Sequence, residues 1–158
     1  MDIRDAALRY LEHRMRTQSE MKKRLTEKGF DEEEIRETMD WLTQSGYIDD
    51  TAYGCEYIRY GFEKGRSINR IRFELKDKGL AGEDIEKAAY AYEDEYEIDI
   101  MESEYERALA QGKKIADVSG TDEKALAKMG RRLSSLGYSG SIIYKVVGHF
   151  GSSGGEDY

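Results

Sequence analysis

The hexapeptide LTEKGF at Leu25–Phe30 returns as LKDKGL at Leu75–Leu80 and as LSSLGY at Leu133–Tyr138. Leu-x-x-x-Gly-apolar is a helix-stop pattern. A glycine one residue beyond a helix adopts the left-handed backbone that ends it without a Cβ penalty. In a Schellman cap the residue after that glycine packs on the leucine. The register extends to both sides. Met21, Ile71 and Met129 precede the three glycines at one helical interval, and Ile35, Ile85 and Ile143 follow at another. Met39, Ala89 and Val147, then Leu42, Tyr92 and Phe150, continue the apolar face. Steps of three and four place these residues on one side of a helix. Each glycine therefore joins two amphipathic helices. Asp31, with Glu34 three residues on, and Ser139 can cap the helices that follow.

A further helix precedes each pair. Leu8, Leu11 and Met15 mark the first, with Thr17 and Glu20 forming a capping box for its successor. Tyr53, Tyr57 and Tyr60 mark the second, and Ile98, Met101, Tyr105 and Leu109 the third. The pattern predicts an all-α chain of three tandem three-helix repeats, forming an elongated, curved molecule. The repeats occupy about 1–46, 47–93 and 94–150. Gly112–Gly120 is expected to be a loop, and residues 151–158 a disordered tail. The sequence contains no proline, so glycines carry the punctuation. A single repeat of this length is near the lower limit for independent folding, so neighbours are expected to share surface.

The N-terminal stretch MDIRDAALRYLEHR lacks the apolar core of a signal peptide, and no apolar run reaches the length of a membrane span. The single cysteine, Cys55, cannot form an internal disulfide. These features fit a cytoplasmic chain that acts as a monomer.

Charge is placed unevenly on a chain whose net charge is −8. The middle helix of each repeat is basic: Lys22, Lys23, Arg24 and Lys28; Arg70, Arg72, Lys76 and Lys78, with Arg66 before them; Lys124, Lys128, Arg131 and Arg132. The third helices and the 93–106 connector are acidic. Two readings stand side by side. Stacked repeats can align the basic helices against an acidic groove or the phosphates within one. The same distribution also complements helix dipoles and solvates exposed faces. Tyr53, Tyr57 and Tyr60 can stack on bases, but their helical spacing favours a core position.

Enzyme chemistry is missing. His13 and His149 are far apart in sequence, no Cys/His cluster has zinc spacing, and FEKGRS is not a P-loop. Asp49 and Asp50 follow GYI where helix capping suits them better than metal binding. Neither a catalytic residue nor a cofactor site emerges.

The stretch ALRYLEHRMRTQSEMKKRLTEKGF resembles the opening repeat of the RecX regulatory proteins, through Leu11, Arg14, Thr17, Glu20, Leu25, Gly29 and Phe30. SGYIDDTAYGCEYIRYGFEKGRSINRIRFELKDKGL is similar to the family's second repeat. It carries Tyr-Ile-Asp-Asp, then Tyr53, Tyr57 and Gly65, then Ile71-Arg72-x-Glu74-Leu75 and Lys78-Gly79. ALAKMGRRLSSLGYSGSIIYKVV resembles the last repeat more loosely. The resemblance implies a bacterial modulator of the recombinase RecA that binds RecA or its filament on single-stranded DNA. Such proteins usually block filament growth and strand exchange, within recombination, repair and the SOS response. The acidity of this chain departs from that pattern and implies weak or no direct DNA binding, while leaving the recombinase role open. A helix-turn-helix nucleic-acid binder and a helical scaffold for another protein are the alternatives. The contacts expected for a partner are Lys22, Lys23, Arg24, Lys28, Arg66, Arg70, Arg72, Lys76, Lys78, Arg131 and Arg132.

Overall fold

The computed structural model describes residues 1–153. Among them the chain is all α-helix: α1 (Ile3–Leu11), α2 (Gln18–Glu27), α3 (Glu32–Gln44), α4 (Asp50–Glu63), α5 (Ile68–Asp77), α6 (Gly82–Tyr96), α7 (Glu104–Ser119), α8 (Glu123–Ser135) and α9 (Gly140–Ser153). No helix among the described residues is long and apolar enough to cross a membrane.

The three Leu-Gly-apolar stops are Schellman caps. The amides of Phe30, Leu80 and Tyr138 donate to the carbonyls of Leu25, Leu75 and Leu133 at 3.3, 3.1 and 3.1 Å. The glycine amides of Gly29, Gly79 and Gly137 donate to Thr26, Lys76 and Ser134, each at 3.0 Å. All three glycines have φ between 91° and 94°. Helix starts are capped as the sequence suggests. Thr17 and Glu20 complete a capping box, and Asp31 accepts from the Glu34 amide at 2.8 Å.

Packing divides the chain into two compact units. The first comprises Met1–Tyr57 with Glu74–Ala91, and the second Ile58–Phe73 with the chain from Tyr92 onward. The division runs through α4, α5 and α6, so the middle helices contribute to both units. In the first unit Ala6, Ala7, Met21, Leu25, Ile35, Met39, Leu42 and Ile48 form one buried cluster. In the second, Ala108, Met129, Leu133, Leu136, Tyr138 and Val146 do the same. Burying each large aliphatic side chain contributes roughly 1.5–3 kcal/mol, and the chain-ordering entropy opposes most of that sum.

Several elements differ from the sequence reading. The segment 112–120 is not a loop: α7 runs on to Ser119. Gly112 is buried there because its missing side chain admits Phe150, Val146 and Met129, while Ile115 and Ala116 pack on the core. Lys113 pairs with Asp117 one turn on at 2.9 Å. The helix also begins later than the Ile98–Leu109 pattern suggests. Ile98 and Met101 lie in the turn that precedes Glu104, and Met101 is exposed. In the first repeat the inward face is Ala6 and Ala7, flanked by Ile3, Tyr10 and Leu11; Met15 lies beyond the helix and is exposed. The α4 tyrosines split: Tyr53 is buried, Tyr57 half-buried and Tyr60 exposed. The buried face of α4 is instead Tyr53, Gly54, Ile58 and Gly61. A Cβ on Gly54 would meet that of Ala88 at 2.6 Å, so the α4 backbone at Gly54 lies directly against the Ala88 methyl of α6. Finally, α9 continues through Ser153, with Gly151 close against Leu126, where the tail was expected to begin at 151; its residues 154–158 lie outside the described residues.

Candidate partner-binding surface

The cations of α2 are exposed because the helix spends its other side on the core. Met21 and Leu25 are fully buried, which turns Lys22, Lys23, Arg24 and Lys28 to solvent. The same division holds on α8, where Ala125, Met129 and Leu133 point inward and Arg131 and Arg132 are exposed. On α5, Ile68, Ile71 and Leu75 are buried; Lys76 is exposed, while Arg70, Arg72 and Lys78 are half-buried, as is Arg66 before the helix. Lys22, Lys23, Arg24, Lys28, Lys76 and Lys78 belong to the first unit, and Arg66, Arg70, Arg72, Arg131 and Arg132 to the second.

Some of these cations have structural work. Arg70 donates through Nη1 to the Ser135 carbonyl at 2.7 Å and packs beside Gly137. The Arg66 guanidinium lies 5.3 Å from the Tyr60 ring centroid, and the Lys78 ammonium 5.3 Å from that of Tyr57. Such contacts contribute about 0.5–1 kcal/mol at exposed sites.

Arg70 belongs to a joint that occurs twice, once in each unit. In the first, the cap hydroxyl of Thr17 donates to the Lys78 carbonyl at 3.2 Å, and the Gln18 amide donates to Asp50 at 3.0 Å. Gly79 lies directly against Ser19. In the second, the Ser67 amide donates to the Leu136 carbonyl at 2.9 Å, and the Ile68 amide to Glu104 at 3.4 Å. Gly137 lies against Ser67 and Arg70, and the Tyr138 hydroxyl donates to the Gly65 carbonyl at 2.9 Å. In both joints the start of a middle helix meets the glycine clasp of the next repeat, and a buried carboxylate closes the contact.

Those carboxylates are buried for a reason. Asp50 is 6% exposed and Glu104 7%. Each accepts from a helix N-terminal amide, where the unpaired N–H groups favour negative charge. Burial holds the Asp50 carboxyl above its ordinary range; the Gln18 amide opposes this, and the charges of Asp84, Asp49 and Glu20 reinforce it. Glu104 is paired with Arg107 at 3.0 Å, and the Arg107 guanidinium stacks on Phe62 at 4.0 Å. Burial, followed by the Glu104 charge, pushes Tyr138 up to about 12, with Arg107 acting against them. Glu20 behaves oppositely. Burial raises its carboxyl, but hydrogen bonds from Arg14 and the Thr17 amide, with the charges of Arg14 and Lys78, hold it below the usual range.

Arg9 and Arg16, which the sequence did not single out, and His13, which it set aside as a catalyst, join two of the expected contacts. Arg9, His13 and Arg16 line a pocket of about 410 Å³ with Arg24 and Lys28, together with Met1, Ala6 and Tyr10. Arg16 is fixed by its Nε donating to the Tyr10 carbonyl at 3.0 Å and by stacking 3.9 Å from the Tyr10 ring. Arg24 approaches the same ring at 5.3 Å. The available signal was the run of basic and aromatic residues Arg9-Tyr10…His13…Arg16 at the end of α1 and just beyond it.

This architecture defines an all-α protein of tandem three-helix domains. Family profiles described as the first and second three-helix domains of RecX match residues 4–42 and 49–88. The chain belongs to the RecX family of regulatory proteins. A protein named regulatory protein RecX from Vibrio campbellii is 32% identical over 140 residues, covering 88% of this chain and 85% of its own length. One from Clostridium botulinum, with the same name, is 31% identical over 147 residues and 91% of this chain; the chain spans only 66% of that relative's length. The crystal structure of RecX from Lactobacillus salivarius matches with a TM-score of 0.75 at 24% identity over 94% of each chain. A second crystal structure of regulatory protein RecX gives 0.71 at 25% identity, covering 93% of this chain and 70% of that one.

Proposed function

We propose that this chain binds the RecA recombinase, or its filament on single-stranded DNA, in the cytoplasm and inhibits strand exchange and the associated ATPase. Membership of the RecX family carries this reading, with the resemblance already drawn to RecA modulators. The cation placement supports a docking role. The exposed cations of α2, with Lys76 and with Arg131 and Arg132, fall on helices whose opposite faces are committed to the cores. Each patch is small, but patches tied to one chain act together through effective concentration. The repeats 1–46, 47–93 and 94–150 are the units we assign to successive contacts, and a monomer suffices for them. The net charge of −8 opposes encounter with bare DNA, so direct DNA binding is weak and falls steeply with salt.

The test uses the cognate recombinase. Strand exchange and DNA-dependent ATP hydrolysis are measured with the full chain and with a variant carrying Lys22→Glu, Lys23→Glu, Arg131→Glu and Arg132→Glu. The wild type is expected to inhibit both reactions, and the variant to require at least about tenfold more protein, from the loss of several charge contacts. Inhibition that survives unchanged removes this surface. A wild type that leaves the recombinase untouched removes the function.

A further inference from the structure

The pocket between α1 and α2 is cationic against the grain of the chain. Acidic residues outnumber basic ones 33 to 25 in the sequence, yet the charged lining is Arg9, Arg16, Arg24 and Lys28, with His13 and no carboxylate. Several cations elsewhere are paired within a turn or two of chain: Arg14 with Glu20, Arg36 with Glu33, Lys87 with Glu83, Arg107 with Glu104 and Lys113 with Asp117. Among the described residues none of Arg9, Arg16, Arg24 and Lys28 has an acidic partner. Cations gathered around one cavity repel each other; Asp5 and Glu12 line a separate cavity that shares Met1 and Arg9 with it.

The cavity is also prepared for an anion. Arg16 uses Nε on the Tyr10 carbonyl and stacks its plane on the Tyr10 ring, which fixes the guanidinium and leaves both Nη groups without a partner among the described residues. Planar guanidinium forks match phosphate oxygens two at a time, and a fixed fork loses little entropy on binding. Four permanent charges exceed what one phosphate monoester neutralises. The volume of about 410 Å³ lies within the range of small-molecule pockets. Met1, Ala6 and Tyr10 form an apolar part of the wall, whereas a nucleic-acid strand tracks an open groove with exposed stacking faces.

We propose that this pocket binds a linked-phosphate anion, the polyphosphate of a nucleotide or an inorganic polyphosphate. The binding is a property of the free chain and needs no recombinase, so its failure leaves the filament reading intact, and the converse holds.

The test is calorimetric titration of the full chain with tripolyphosphate, ATP, AMP and a short oligo-dT. Three variants accompany the wild type: Arg9→Gln/Arg24→Gln, Lys28→Gln, and Lys145→Gln as a charge control on α9. Tripolyphosphate is expected to bind the wild type and Lys145→Gln alike, and to bind either pocket variant at least about tenfold more weakly. Helix content by circular dichroism verifies folding, and Lys28→Gln decides the matter if the double variant is unfolded. ATP tighter than tripolyphosphate assigns the site to a nucleotide; equal or weaker binding assigns it to the phosphate chain alone. AMP is expected to bind least. Equal affinity in all variants, no tripolyphosphate binding, or binding of oligo-dT alone overturns the proposal.

Discussion

Replacing Gly79 by alanine separates two demands that a repeated glycine can serve. Gly29 and Gly79 share a backbone, with φ of 91° and 94°. Their surroundings differ. A Cβ on Gly29 meets nothing within 4 Å, whereas one on Gly79 overlaps the Cβ and Oγ of Ser19. Gly137 is in the same position, with Arg70 Cβ and Ser67 Oγ each 2.6 Å from its added Cβ, far inside the roughly 3.5–4.0 Å of relaxed carbon contact. Left-handed backbone costs alanine about 1–2 kcal/mol. Overpacking a close contact adds about 1–3 kcal/mol. Gly29→Ala is therefore expected to lose about 1–2 kcal/mol and Gly79→Ala about 2–5 kcal/mol, from the same principles combined.

Ser19→Gly supplies the internal control. It removes the atoms that Gly79→Ala strikes but does nothing for the backbone at position 79. The double variant should recover about 1–3 kcal/mol relative to the sum of the singles, a coupling expected only for groups in contact. Ser19→Ala keeps the Cβ and should recover less. Urea unfolding followed by circular dichroism measures each midpoint, and the slope checks that the unfolded state is comparable. Equal losses at Gly29 and Gly79, or additive behaviour with Ser19→Gly, would refute the claim that the second clasp is also a packing joint.

Two further perturbations test other parts of the structure. Glu97 holds φ at 54° after α6, where the Ile98 amide donates to the Glu93 carbonyl at 3.2 Å in place of a glycine-based cap. Glu97→Gly is expected to raise stability by about 0.5–1 kcal/mol, read as a higher urea midpoint. Asp50→Asn tests the buried carboxylate. A carboxyl held above its unfolded value of about 3.9 adds stability below that pH and loses it as pH rises through the folded value. Asn keeps the acceptor for Gln18 without titrating, so the variant's stability relative to wild type should climb as pH rises from about 3 to 7. A flat difference across that range would place Asp50 in a solvated setting.

The clasps were legible because a cap is a local event: Leu, Gly and an apolar residue at fixed offsets satisfy it with their own backbone. Gly112–Gly120 was misread for the complementary reason. Gly112 looks like a helix end in sequence, but its fitness for mid-helix lies in Phe150, Val146 and Met129, three residues supplied by other helices. Gly54 and Gly61 share that logic, since a missing Cβ lets α4 approach Ala88 and Ile71 closely. Periodicity scores large apolar side chains and is blind to packing by absence. The α4 tyrosines show the same bias: their spacing suggested the buried face, while the glycines determined it.

The candidate surface was legible to the extent that burial of one helix face exposes the other. What eluded the sequence was the division of labour among the cations. Arg70 looks equivalent to Lys76 in a list of basic residues, but only Arg70 reaches the Ser135 carbonyl across 65 residues of chain. Arg9 and Arg16 take no part in the capping patterns, and their significance arises from lining one pocket with Arg24 and Lys28. The joints explain why such roles diverge. Thr17 and Ser67 stand 50 residues apart, as do Gln18 and Ile68, and each pair begins a middle helix aimed at a buried carboxylate and a glycine clasp. A cation placed at a joint is drawn into holding repeats together, as Arg70 is, whereas Lys22, Lys23, Arg131 and Arg132 keep their charges in solvent. Position relative to the joint, which no count of charge reveals, therefore separates Arg70 from the cations that stay exposed to solvent.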